Sequence, residues 1–259
     1  MSTSIFRNCV GTLLLIALVC GLATGSAISQ EDSVVSAQQR EAKKAWDSLV
    51  ATKGGRERLY SVHAMLTQFS DTTRLEVFPD SRWEFAHWLD RRPALKIYDG
   101  EQRISVLAGA TGAEKTIHED CGDDCWWNQL PYLLETKWYK PTPLRVTREK
   151  IGKRVFDVID VQMGEQKVAF VYEPEEMLVK EVRFFSDGEV WQKYRLDKYV
   201  DIDGIKMPTL WSIGDLGDHF VLLDHMMPIS FSFNVDYDPR IFKPPFVATS
   251  RDAWKRKPQ

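Results

Sequence analysis

The chain has 259 residues, 34 basic and 37 acidic, for a formal net charge of -3. That balance excludes a nucleic-acid binder working through a basic face. The length suits one β-rich domain, or two small ones, with a sizeable core or cavity.

At the N-terminus, Arg7 precedes the apolar run CVGTLLLIALVCGLATGSA, and the chain turns polar at SQEDS. These are the three regions of a secretory signal. Cleavage is expected after Ala27, leaving a single domain over 28-259 in the periplasm or another exported location. The alternative is retention as an uncleaved anchor, although the run is shorter than the ~20 residues of a spanning helix. Lipoprotein processing fits less well, because Val19 stands where a small residue should precede Cys20. Removal of the signal takes Cys9 and Cys20 with it, so Cys121 and Cys125 remain as a pair.

From Asp32 to Lys53 the spacing predicts a helix, with Ala42, Ala45, Trp46 and Leu49 on one face. Asp32 or Ser33 would cap it, and Gly54-Gly55 would stop it. Beyond Leu59 the period changes to short β-prone runs: SVHAMLTQF, TRLEVF, RWEFAHW, ALKIY and QRISVL. Asp99-Gly100 reads as a hairpin turn. After a central insertion come PLRVTREKI, RVFDVIDVQ, KVAFVY, LVKEVRFF, VWQKYRLDKYV, IKMPTLWSI, HFVLLDHM and ISFSFNVDY. Links this short cannot hold crossover helices, so the strands are expected to be antiparallel. The tail TSRDAWKRKPQ reads as solvated.

The insertion, HEDCGDDCWWNQLPYLLE from His118 to Glu135, is the densest chemistry in the chain. Three readings are open for it. Cys121 and Cys125 suit a disulfide in an oxidising compartment. They also fit a redox pair, although the spacing is CxxxC and the intervening acids disfavour a thiolate. With His118 they form a partial zinc set that lacks further cysteines. The same segment carries Trp126, Trp127, Leu130, Tyr132, Leu133 and Leu134, with Trp138 beyond, and reads as an apolar flap that fills the concavity of a curved sheet.

Catalytic signatures are absent: there is no phosphate-binding glycine loop, no HExxH and no GxSxG. Along one strand His219 and His225 would stand roughly 20 Å apart. His63 and His87 lie on different predicted strands, and the acid pairs Glu175-Glu176, Asp201-Asp203 and Asp236-Asp238 sit in turn contexts.

The layout resembles the LolA/LolB-like superfamily of periplasmic lipoprotein carriers and lipoprotein-sorting proteins. The residues that carry the resemblance are KGGRERLYSVHAM, LEVFPDSRWEF, KIYDGEQRI, VAFVYEPEEMLVKEVRF, YVDIDGIKMPTLWSI and FSFNVDYDPRIFKPP. It implies a mainly β (α+β) fold, an open antiparallel half-barrel of about eleven strands covered by an N-terminal helix and a short central helical plug. It further implies a monomeric, non-enzymatic carrier of a lipid, an acylated protein or another apolar ligand, with no catalytic residue, cofactor or metal. The family's prototype closes its lid with a buried arginine on an early strand, for which Arg74 and Arg82 are the possible counterparts. The CGDDC loop departs from the family pattern.

Candidate cavity residues are Trp83, Phe85, Phe170, Tyr172, Phe184 and Trp191 on strands, with Trp126, Trp127, Leu130, Leu133 and Leu134 on the flap. Two other functions stay open: an envelope interaction or regulatory module that docks a membrane-protein partner, and a thiol redox protein using Cys121 and Cys125.

Overall fold

The computed structural model describes residues 37-69, 72-79, 81-87, 93-99, 103-109, 112-118, 130-164, 166-215 and 226-242. The expected signal segment, Asp32, Ser33, Cys121, Cys125, Trp126, Trp127, His219, His225, Gly217 and the basic tail lie outside the described residues.

A helix over 37-53, α1, buries Ala42, Trp46, Leu49 and Val50 to 2% exposure or less. It ends at the glycine pair, followed by a second short helix α2, Arg56–Ser61, in a stretch between the predicted helix and the first predicted strand; only Ser61 overlaps that strand. Here Arg56, Glu57, Arg58 and Leu59 are good helix formers, and the six residues make less than two turns.

Strands then run in chain order. They are β1 Ala64–Gln68, β2 Thr72–Val77, β3 Ser81–His87, β4 Pro93–Asp99, β5 Arg103–Gly109 and β6 Gly112–His118. After the short helix α3, Leu130–Leu133, come β7 Thr142–Ile151, β8 Arg154–Met163, β9 Gln166–Glu173 and β10 Leu178–Ser186. The last four are β11 Glu189–Ile202, β12 Ile205–Asp215, β13 Met227–Pro228 and β14 Ser230–Phe233.

The fold is mainly β, with fourteen strands among the described residues in place of the expected eleven or so. They form two seven-stranded sheets, ordered β14-β1-β2-β3-β4-β5-β6 (sheet A) and β13-β12-β11-β10-β9-β8-β7 (sheet B). All pairings are antiparallel: β1 to β6 and β7 to β12 run as meanders, as short links require, while β14 returns from the far end of the chain to pair with β1. The sheets meet where β13 passes directly into β14 across Ile229, whose N–H donates to the Thr209 carbonyl at 3.0 Å. At the other end β6 and β7 are not neighbours in either sheet, so the sheet is open and not closed into a barrel. Strand β6, GAEKTIH, has low intrinsic β-propensity; its pairing with β5 supplies what the local sequence lacks.

Burial follows the register. In sheet B, Ile159, Val161, Val168, Phe170, Val182, Phe184, Leu196 and Met207 face α1 and form the main core. The opposite face carries Phe156, Val158, Ala169 and Val171, a smaller cluster. Strands such as β9 are therefore apolar on both sides. In sheet A the outer face holds Leu66, Leu75, Leu95, Ile97 and Ile104, sealed by Ile241 and Phe242 of the 3-10 turn Pro239–Phe242. Each large apolar side chain so covered contributes roughly 1.5–3 kcal/mol.

Candidate functional site

The inner face of the open sheet is covered by packed chain, and its covering begins with Trp46. This ring meets Phe170 edge-on at 5.2 Å between centroids. Below it lie Leu133 and Leu134 of the plug, at 0% and 2% exposure, while Tyr132 packs on Phe231 at 5.0 Å. Leu134 has φ 67, which turns the chain sharply out of α3 and directs Glu135 back beneath the helices.

Glu135 is only 3% exposed and joins all three pieces of the cover. It accepts hydrogen bonds from Trp46 Nε1 at 2.8 Å, from Arg56 Nε at 2.7 Å and from the Tyr60 hydroxyl at 2.9 Å. Arg56 also donates to Asp47 at 2.7 Å, so one guanidinium spans α1, α2 and the plug. Hydrogen bonds from Lys43 and then Arg56 hold the Asp47 carboxyl below the usual carboxylate range, against the opposing effect of burial. Burial first, and the Glu135 carboxylate second, push the Tyr60 phenol up. A buried carboxylate with this many donors is a fixed joint, because moving any one element leaves it or a donor unpaired.

At the end of α1, Lys53 is 6% exposed and its Nζ lies 5.4 Å from the centre of the Tyr199 ring. Burial lowers its amine to about 7. The Tyr199 hydroxyl is itself engaged, donating to the Val179 carbonyl at 2.6 Å. Next to it the chain needs two glycines. Gly54, at φ 144, would place a Cβ 2.5 Å from the Gly204 carbonyl oxygen, and a Cβ on Gly204 would collide with the Arg58 side chain. The KGGRERLY and DIDGIK segments therefore pack backbone against backbone.

Towards sheet A the interior changes character. On the face shared with Met65 lie Thr67, Arg74, Glu76 and Arg82, placed there by the pairs Met65↔Glu76, Thr67↔Arg74 and Glu76↔Arg82. Glu76 and Thr67 are each 1% exposed. Glu76 forms an ion pair with Arg82 at 3.4 Å, yet neither of its oxygens, nor the Thr67 hydroxyl, takes part in a hydrogen bond. Burial raises the Tyr132 phenol well above its ordinary value, and the charges of Arg74, Glu76 and Arg82 act on it as lesser influences. Tyr132 thus sits at the boundary between the two halves.

One edge of the main core is aromatic. Trp191, Phe184, Tyr194, Trp211 and Phe69 follow one another at centroid separations of 6.4, 5.5, 6.1 and 4.7 Å. Arg74 lies 5.6 Å above the Phe69 ring and so links this row to the polar half. Trp191, Trp211 and Phe69 are only partly buried, and the buried Trp211 Nε1 has no hydrogen-bond partner.

Of the residues expected to line a cavity, Phe170, Tyr172, Phe184, Leu133 and Leu134 come together in the main core, at 2% exposure or less, and Trp191 packs at its edge. Burial pushes the Tyr172 phenol up to about 12. Trp83 is aligned with Leu75 and Ile97, and Phe85 with Thr73 and Leu95, which are register positions on the other face of sheet A. Leu130 begins α3. Among the described residues no group of three histidines, cysteines or acids could hold a metal ion. Glu175 and Glu176 border a charged surface groove with Arg148, Arg154 and Glu173, away from the concavity.

The residues that organise the site, Glu135, Arg56, Tyr60, Glu76 and Thr67, were not singled out from sequence. The available signal was Glu135 itself, a lone acid closing the apolar run YLL.

No family model matches the chain. A solved structure of a LolA superfamily protein from Nitrosomonas europaea is similar over 75% of this chain and 96% of its own, at 14% identity and a TM-score of 0.46. A DUF1329 family protein from Desulfovibrio piger is similar over 78% of this chain and 97% of its own, at 10% identity and a TM-score of 0.37.

Proposed function

We propose that this chain is an exported, non-enzymatic binding protein that carries or senses an acylated or otherwise apolar ligand in the concavity of its open sheet. The observation that carries this reading is the construction of that concavity. An inner surface that is apolar and aromatic over sheet B, and polar only around Glu76 in sheet A, is covered by helices α1 and α2 and the plug 130–136, and not by a second layer of sheet. These pieces are held through one residue, Glu135. A ligand that displaces the plug replaces the contacts of Tyr132, Leu133 and Leu134 with its own, at ~25 cal/mol per Å2 of apolar surface.

The partly buried aromatic row from Trp191 to Phe69 is the entry edge in this reading. The ligand is a lipid, a lipid-modified protein or a similar amphiphile, and no cofactor takes part. Cys121 and Cys125 form a disulfide that fixes the root of the plug, and the chain acts as a monomer in the periplasm after loss of residues 1-27.

Mild purification followed by native mass spectrometry and organic extraction tests the proposal. A bound lipid or lipopeptide is the expected outcome, and a protein that is empty on isolation and takes up no acyl ligand refutes it. Exchange of Cys121→Ser and Cys125→Ser together should leave binding in place; loss of a thiol-exchange activity would instead favour redox chemistry.

A further inference from the structure

Glu76 and Thr67 stand out inside the closed interior because they are almost wholly buried and accept nothing. Both are 1% exposed, both lie on the concave face of sheet A, and Phe231, the register partner of Thr67, packs directly on the plug residue Tyr132. Native proteins leave few such groups unsatisfied, and each calls for an explanation. Arg82 neutralises the Glu76 charge at 3.4 Å without donating a hydrogen bond to it.

We propose that Glu76 and Thr67 are the hydrogen-bonding seat for the polar head of the ligand, and that this head carries an uncharged N–H or O–H donor. An acyl amide or a hydroxyl-bearing acyl ester has that chemistry. The inference rests on the apolar-ligand reading above and adds the class of head group to it. When the plug with Tyr132 withdraws, the Glu76 oxygens and the Thr67 hydroxyl line the space it leaves. A donor satisfies them. An ammonium group would face Arg74 and Arg82 on the same sheet face, and an anionic head would face the Glu76 carboxylate. A head with acceptors alone would leave Glu76 as it is in the closed form. The aromatic row beginning at Phe69, beneath Arg74, then takes the chain of the same molecule.

Displacement of a bound apolar fluorophore from the purified chain tests this, with 1-lauroylglycerol and methyl laurate as competitors that share one acyl chain. The wild type is expected to bind lauroylglycerol at least tenfold more tightly than the methyl ester. The paired exchange Glu76→Met with Arg82→Met, which removes both charges together and so leaves neither buried alone, should bind both at the methyl ester's affinity. Thr67→Val, close in shape, should reduce the preference about threefold, and it decides the matter if the paired variant does not fold. Equal binding of the two lipids by the wild type overturns the inference while leaving the apolar-ligand reading intact. A preference that survives unchanged in the variants does the same. Failure of both lipids to displace the fluorophore overturns both.

Discussion

Glu135 beneath the helices and Glu76 inside sheet A are both acids buried to 3% exposure or less, yet they are treated oppositely. Glu135 receives donors from Trp46, Arg56 and Tyr60 at 2.7–2.9 Å. Glu76 has one ion pair at 3.4 Å and no hydrogen bond. Burial costs a carboxylate its hydration in both places, but only the Glu135 site returns it as charge-assisted hydrogen bonds. The difference separates a half of the interior built to stay assembled from a half that is left incomplete.

The largest effect that would break this comparison is at Glu135. Glu135→Leu should lower stability by about 3 kcal/mol in chemical denaturation, because Trp46 Nε1 and Arg56 lose a buried partner together. A cost below ~1 kcal/mol would mean the joint contributes little. Lys53 sharpens the picture next, as a buried charge within the better-satisfied half. Its amine is held at about 7 by burial, so between about pH 7 and the ordinary lysine value the unfolded chain binds the extra proton. Stability contributed by this group is complete above the unfolded value, declines as pH falls, and reaches its floor below about 7. Wild type should therefore gain ~2 kcal/mol relative to Lys53→Met between pH 7 and pH 9, read from paired urea titrations. No pH dependence in that difference would contradict an amine lowered by burial.

Smaller still is the expected effect of Glu76→Met with Arg82→Met, which should leave stability unchanged or raise it by up to ~2 kcal/mol, since an imperfect buried ion pair is readily replaced by apolar side chains. A loss like that of Glu135→Leu would erase the contrast. Arg154→Ala sets the baseline. Its 3.0 Å pair with Glu173 uses an arginine that is 75% exposed, and its removal should change the midpoint by no more than about 0.5 kcal/mol.

Much of the architecture was legible in local pattern. The apolar face of α1, the glycine stop at Gly54-Gly55 and most strands needed only period and turn chemistry, as in β9, where Val168, Phe170 and Tyr172 alternate. Strand β6 was not legible, since GAEKTIH is held as a strand by β5 and not by its own preference. Helix α2 falls between the glycine stop and the first predicted strand, where six residues are too few to show a helical period.

The site divides in the same way. Apolar residues of the plug announce burial by composition alone, and Leu133 and Leu134 are indeed buried. Nothing local distinguishes Glu135, which meets Trp46 across 89 residues of chain, from any acid that ends a helix. Nor does sequence separate the two faces of sheet A, where Trp83 and Phe85 take the register of Leu75, Ile97 and Leu95. Period and turn residues are properties of neighbouring positions, so sequence by itself determined a curved antiparallel sheet with a covering helix and an apolar insertion. Which carboxylate is satisfied, and which is left without a donor, depends on groups brought together from distant parts of the chain, and only the tertiary structure decided it.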